Sequence, residues 1–311
     1  MKVCKVYIPC KTFIQPMPLP TRLSIAKSDI LRHFDATPKK VYLQSELAKV
    51  LSENRAFWRL AQRTNTSVFL DYLLHTGRLK EHTLKSEEYR RVVTRYSWGE
   101  VSIYELATSL AKSAYLSHGT AVFLHGLTDL IPKTLYLNIE QSVKPAPKGR
   151  LTQESLDRAF ANQQRRSNLS YSYEDWTVTV ISGKNTARLG VDPIEAPTSE
   201  KVEATNLERT LIDVVVRPAY AGGIVQVLEA YRAAKDRLST NRLVAYLKRL
   251  DYIYPYQQAI GFLMERAGYD ESRYSLLQEM KSPFKFYLTH GLDKPSFNSR
   301  WQLFFPHGLE G

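Results

Sequence analysis

The sequence predicts an α+β protein: an N-terminal winged helix-turn-helix followed by a mixed α/β C-terminal domain with a mostly helical end. Three observations lead there. Periodic segments in the first hundred residues run helix, short strand, helix, helix, hairpin. Strand-like runs dominate between residues 133 and 205, and helical spacing takes over from Asn206. The charge is also lopsided. The 311-residue chain carries +12, yet residues 1–100 hold 18 Lys/Arg against 9 Asp/Glu, or +9. Residues 101–200 balance at 10 and 10, and residues 201–311 add only +3. A basic third on a near-neutral body points to a nucleic-acid-binding module.

The elements follow in order. Residues 1–21 carry Pro9, Pro16, Pro18 and Pro20 and read as an extended arm. The first helix starts near Ser28, carries Ile30, Leu31 and Phe34, and stops before Pro38. Lys39 and Lys40 lead into a strand-like Val41-Tyr42-Leu43. Ser45 is a cap candidate for a helix bearing Leu47, Ala48, Val50 and Leu51, which continues or restarts near Asn54 through Phe57, Trp58 and Leu60. Thr64 or Thr66 caps the next helix, whose apolar stripe is Phe69, Leu70, Leu73 and Leu74 and whose stop is Gly77. Leu79–Leu84, a polar turn at 85–88 and the β-rich, basic run 89–96 make a hairpin.

Residues 22–100 are thus expected to form the DNA-binding domain, 101–113 a linker helix, and 114–311 the body. In the body, Ser117 caps a helix ended by Gly126; Lys133–Glu140 and Trp176–Ile181 are strands; residues 144–150 are a loop; Thr152–Gln164 are helical. More β structure is expected through 186–205. Helices are expected over 206–217, 222–236, 239–250, 255–267 and 271–281, with closing strands at 285–289 and 301–305.

A winged helix assigns roles by position. The helix after Thr64 enters the major groove, with Arg63, Thr64, Asn65, Thr66 and Ser67 near base edges and Tyr72 off its apolar stripe. Lys39, Lys40, Lys85, Arg90 and Arg91 are placed to meet phosphate.

Tests for chemistry return little. Cys4 and Cys10 are the only cysteines, too few for a disulfide framework or a four-thiolate zinc site. His118 and His125 lie two helical turns apart, too far to share one metal without further ligands. Gly183-Lys184 lacks the rest of a phosphate loop. Glu203, Glu208, Asp213 and Glu229 leave a metal-dependent nuclease as the alternative function, and a pure protein-interaction module is a third. No cofactor is expected. No apolar run reaches the roughly 18 residues of a membrane span, and the lysine-interrupted N-terminus does not read as a leader, so a cytoplasmic protein is expected.

The run from Asn206 to Val225 is the most distinctive. Asn206 caps a helix, Glu208 lies in its first turn, and Arg209 sits over Asp213 at i, i+4. Arg217 precedes the Pro218 that ends it. This run, LERTLIDVVVRPAYAGGI at 207–224, together with YLSHGTAVFLHGLTDLIPKTLYL at 115–137, the AIGFLMERAGY segment within 255–269 and the late Trp301, resembles the AbiEi-type antitoxins of bacterial abortive-infection systems. The resemblance spans most of residues 28–305. It implies an N-terminal winged helix that binds inverted repeats in double-stranded promoter DNA and represses its own operon. It implies a C-terminal domain that counteracts a nucleotidyltransferase-like toxin, without catalysis by the antitoxin. By resemblance, Glu208, Arg209, Asp213 and Arg217 form the body motif.

Overall fold

A computed structural model describes residues 20–145, 150–280 and 282–309. Residues 1–19, with both cysteines and nearly all of the expected arm, and residues 146–149 of the expected loop lie outside the described residues. The protein is a mixed α+β fold. Among the described residues no helix is long and apolar enough to cross a membrane.

The N-terminal elements are Arg22–Ile25 (α1), Lys27–Ala36 (α2), Val41–Tyr42 (β1), Gln44–Asn54 (α3), Thr66–His75 (α4), Leu79–Ser86 (β2) and Arg91–Trp98 (β3). Their order is the expected one; their caps are not. Helix α2 starts directly from α1 at Ala26, without the side-chain cap expected of Ser28. At α3 the helix begins one residue before Ser45, because the Glu46 carboxylate accepts the Leu43 N–H at 2.9 Å and fixes the first turn. At α4 the cap is Asn65, between the two expected threonines: its side-chain oxygen accepts from the Val68 N–H at 2.9 Å. Thr64 is instead buried behind it. The 55–63 stretch is a turn rather than a helix. Arg55 ties it down by donating to the carbonyls of Ala61 and Thr64 at 2.7 and 2.9 Å. Gly77, at φ +74°, ends α4 in the left-handed conformation as expected.

These elements enclose one apolar core. Ile30, Phe34, Leu47, Leu51, Trp58, Phe69, Leu73 and Trp98 are all buried in it. Phe34 stacks on Trp98 and Trp58 on Phe69, with centroids 4.7 and 5.8 Å apart.

Beyond Trp98 come Ile103–Thr108 (α5), Tyr115–Leu116 (β4), His118–Leu124 (α6), Thr134–Glu140 (β5), Gln153–Ala161 (α7), Ser170–Tyr173 (β6), Trp176–Gly183 (β7), Val191–Glu195 (β8) and Lys201–Thr205 (β9). Helix α5 falls within the expected linker, but its Tyr104, Leu106 and Ala107 are buried against the sheet with Leu84, Leu116, Leu137 and Val178. It is anchored from the hairpin. Buried Arg95 on β3 donates from Nε and one terminal nitrogen to the carbonyls of Ser109 and Leu110, at the C-terminal end of α5.

The large sheet has nine strands in the order β1-β3-β2-β6-β7-β5-β4-β9-β8. Pairs β5/β7 and β4/β9 are parallel and the rest antiparallel. The sheet therefore crosses the expected boundary at residue 100. The crossing is narrow: Lys85 of β2 faces Ser172 of β6, and the Ser172 hydroxyl donates to the Lys85 carbonyl at 3.2 Å.

The chain then becomes helical, as its spacing predicts: Leu207–Val216 (α8), Ile224–Ala233 (α9), Thr240–Leu250 (α10), Tyr256–Arg266 (α11) and Glu271–Glu279 (α12). A small sheet of Phe286–Tyr287 (β10), Ser296–Asn298 (β11) and Leu303–Phe305 (β12) closes it in the order β10-β12-β11. The Trp301 ring is fully buried on Gly261 of α11, where an added Cβ would lie 2.1 Å from the ring. The Trp301 indole N–H donates to Glu265 at 2.5 Å, and Gln258 donates to its carbonyl at 2.8 Å.

Candidate functional site

The first candidate is the outer face of α4 with the hairpin. Arg63, Asn65 and Ser67 are exposed around the helix start, and Thr66 is half-buried. Thr64 is 8% exposed and cannot present its side chain there, which corrects its expected place at base edges. Tyr72 is half-buried, and its hydroxyl is sequestered without a hydrogen-bond partner. Burial raises its pKa. Lys85, Arg90 and Arg91 are exposed at the hairpin tip, with Glu87 and Glu88 beside them. Lys39 is engaged by Glu46 at 2.5 Å, while Lys40 is half-buried at the entry to β1. Arg63 thus stands exposed beside the α4 N-terminus, while the hairpin tip, with Glu87 and Glu88 among its lysine and arginines, is only weakly positive.

The second candidate is the helix α8 motif. Asn206 caps it, accepting from the Arg209 N–H at 3.2 Å while its amide donates to Asp192 and to the Tyr246 hydroxyl. Glu208 is buried and accepts from the Ser239 N–H at 3.1 Å, so it helps start α10; Arg242 approaches it at 3.4 Å. Arg209 donates from Nε to Asp213 at 2.8 Å and from a terminal nitrogen to the Leu189 carbonyl at 2.7 Å. Both members of that pair are about 95% buried by side chain, at 5% and 7% exposure. Burial opposes the Arg209 charge, and Asp213 outweighs it, so the pKa is raised. Three of the four motif residues are therefore structural anchors. The fourth, Arg217, is half-buried at the C-terminal cap, with its guanidinium 6.0 Å from the Tyr220 ring centre.

Around α8 the polar groups are dense. Glu140 accepts from the Tyr115 hydroxyl at 3.0 Å, the Thr186 N–H at 3.1 Å and the Thr186 hydroxyl. Burial would raise its pKa, but these hydrogen bonds prevail and hold it low. His118 is buried at φ +51°, with Nδ1 2.8 Å from the Ser117 hydroxyl and its ring edge-on to Tyr220. Burial pushes its pKa down to about 4, with Arg217 and Arg209 assisting and Asp213 opposing. His125 donates from Nε2 to the Thr205 carbonyl at 2.8 Å.

The carboxylates of the nuclease alternative are each held by a cation: Glu203 by Arg188 at 2.6 Å, Asp213 by Arg209, Glu208 by Arg242 and Glu229 by Arg232 at 2.5 Å. The structure also brings to α8 two residues the sequence reading left aside. Asn138 on β5 and Lys184 after β7 share a small cavity with Arg209 and Arg217. Asn138 carries a signal in retrospect: it is the polar residue that follows the apolar run Leu135-Tyr136-Leu137 in the middle of its strand, and it is buried there.

The sequence matches no protein-family model and no curated protein. Among solved structures, the fold is similar to that of the RV2827C protein from Mycobacterium tuberculosis, with a TM-score of 0.54 at 15% identity over 90% of this chain and 91% of that one. At that identity the likeness concerns the fold alone.

Proposed function

We propose that the chain is a DNA-binding transcriptional autorepressor and antitoxin of the abortive-infection type, working in the cytoplasm. In this reading residues 22–100 are a winged helix-turn-helix on double-stranded operator DNA, and the body counteracts a nucleotidyltransferase-like toxin. One observation carries the DNA half. The order α2-β1-α3-α4-β2-β3, with β1 paired to β3 beside β2, leaves the start of α4 exposed in front of a three-strand wing. Arg63, Asn65, Thr66 and Ser67 then meet base edges, while Lys40, Lys85, Arg90 and Arg91 meet phosphate, with Lys39 freed from Glu46 on binding. The antitoxin half rests on the resemblance of the Leu207–Ile224 motif and its companion segments.

A gel-shift titration of the protein on its own promoter tests the DNA half. Retention that weakens steeply with salt is expected, because each phosphate contact releases counterions. Arg63→Ala is expected to weaken promoter binding by roughly tenfold or more, in line with the loss of one base contact. Equal affinity for scrambled DNA, unchanged by Arg63→Ala, overturns the repressor reading. For the antitoxin half, co-expression with the adjacent gene should relieve growth arrest caused by that gene alone; persistent arrest refutes it.

A further inference from the structure

A cavity of about 60 Å³ opens between helix α8, strand β5 and the residues that follow β7. A single water needs roughly 10–15 Å³ of such space. Small-molecule pockets run to about 300–1,000 Å³. The cavity therefore fits an ion-sized group and excludes a nucleoside.

Its wall is cationic. Lys184, Arg209 and Arg217 line it against one carboxylate, Asp213. Asp213 is held by Arg209 Nε at 2.8 Å, so that pair largely compensates itself. Lys184, exposed, donates to the carbonyls of Leu250 and Asp251 at the C-terminal end of α10, at 2.6 and 2.9 Å, and pairs with no carboxylate among the described residues. Arg217 makes no side-chain hydrogen bond or ion pair among the described residues, and its guanidinium lies 6.0 Å from the Tyr220 ring centre. A half-buried guanidinium with five free donors is poorly accounted for by the fold alone.

Asn138 is the independent observation. It is 4% exposed, its amide makes no hydrogen bond among the described residues, and it lines the same cavity. Buried amides are ordinarily paired, so this one is free to bond whatever enters the cavity, solvent or ligand. Gly183 makes room for it: a Cβ there would lie 2.4 Å from Asn138 Oδ1. The glycine holds the amide beside the cavity with no side chain of its own in the way.

We propose that this cavity binds a single phosphate group, free or as the monoester end of a small ligand, with Arg217 and the Asn138 amide donating to its oxygens and Lys184 supplying charge at the mouth. Phosphate suits the donor set. Arg offers a planar fork that matches two oxygens, and the amide reaches a third. The assignment is independent of DNA binding, since the cavity lies in the body on residues the wing does not contain.

Isothermal titration of the full-length protein tests it, with inorganic phosphate, glycerol 3-phosphate and acetate as separate titrants, each against chloride at matched ionic strength. Saturable binding of inorganic phosphate is expected, and Arg217→Gln should weaken it at least tenfold. Gly183→Ala drives the amide into the cavity and should abolish binding; Asn138→Ala, which removes the amide without crowding the glycine, should weaken it with the fold intact. Uptake of glycerol 3-phosphate as well identifies a monoester ligand, and its exclusion identifies free phosphate. The proposal is overturned if phosphate shows no saturable binding above chloride, if acetate binds as tightly, or if Arg217→Gln and Asn138→Ala leave phosphate binding unchanged.

Discussion

Helices α4 and α8 are twins in outline. Each is ten residues long and each starts from an asparagine whose side chain accepts an N–H of the first turn. Their surroundings differ. The Asn65 cap and the polar groups near it face solvent, with Arg63 unpaired among the described residues, while α8 has Glu208, Arg209 and Asp213 buried and bonded to the elements around them. The same helix signal thus serves two ends. On α4 polar side chains stay in solvent; on α8 they are tied into the fold. Charge buried in a paired state is costly to disturb, whereas exposed charge is nearly silent in stability.

The sharpest break of the comparison is Asp213→Ala. It strands Arg209 in the interior, and unfolding in urea should show a loss of about 3–5 kcal/mol. A loss under about 1 kcal/mol would mean that α8 is no more committed than α4.

Next comes pH. An unfolded histidine takes up its proton near pH 6.5, while His118 resists protonation until about pH 4 in the fold. Its folded pKa is depressed, so its contribution is present above pH 6.5 and is lost as pH falls towards 4, on the order of 3 kcal/mol. His125 and His82, also lowered by burial, act with the same sign. Glu140, held low, gives up its share only at more acid pH. Stability measured between pH 7 and 4 should therefore slope, and His118→Gln should flatten the slope while leaving the acid limb below it. An unchanged slope would assign the effect to other groups.

Arg95→Met probes the contact between the hairpin and the body. It removes donors to the carbonyls of Ser109 and Leu110, and a loss of about 2 kcal/mol is expected in thermal melts, with faster amide exchange at the end of α5. Exchange confined to the hairpin would show that α5 does not depend on it.

The smallest effects belong to α4. Asn65→Ala should cost about 1 kcal/mol through the lost cap, and Asn65→Ser, which keeps a capping oxygen, should cost less than half of that. Arg63→Ala should change stability by no more than about 0.5 kcal/mol. A large loss from Arg63→Ala would place it with the buried charges of α8 and against a ligand-facing role.

Element order and type were legible because periodicity is local. The α8 boundaries were expected at 206–217 and lie at Leu207–Val216, and Gly77 stops α4 where its conformational freedom predicts. Caps were less legible. Thr64, Asn65 and Thr66 are all competent caps, and only the packing of Thr64 into the interior makes Asn65 the one used. Long-range pairing left no trace. Nothing in Lys85 announces that its strand joins Ser172, and nothing in Arg95 separates it from the exposed Arg90 and Arg91 until the base of β3 packs against the end of α5 and covers it. The cavity residues were hidden for the same reason: Asn138, Gly183 and Arg217 come from three separate elements.

The junction of β2 and β6 gives the large sheet a waist. Register runs the full length of β2 against β3 and of β5 against β7, yet a single ladder pair, Lys85 with Ser172, joins the two halves in the sheet, with the His82 and Tyr173 side chains hydrogen-bonded at 2.7 Å beside it. A torsional load applied at the hairpin tip is carried into the body along that edge, through Leu84 in the body's core and through the Arg95 brace to α5. The protein is therefore built less like two beads on a string than like a paddle whose blade and handle share one grain, with its compliance gathered at a narrow neck.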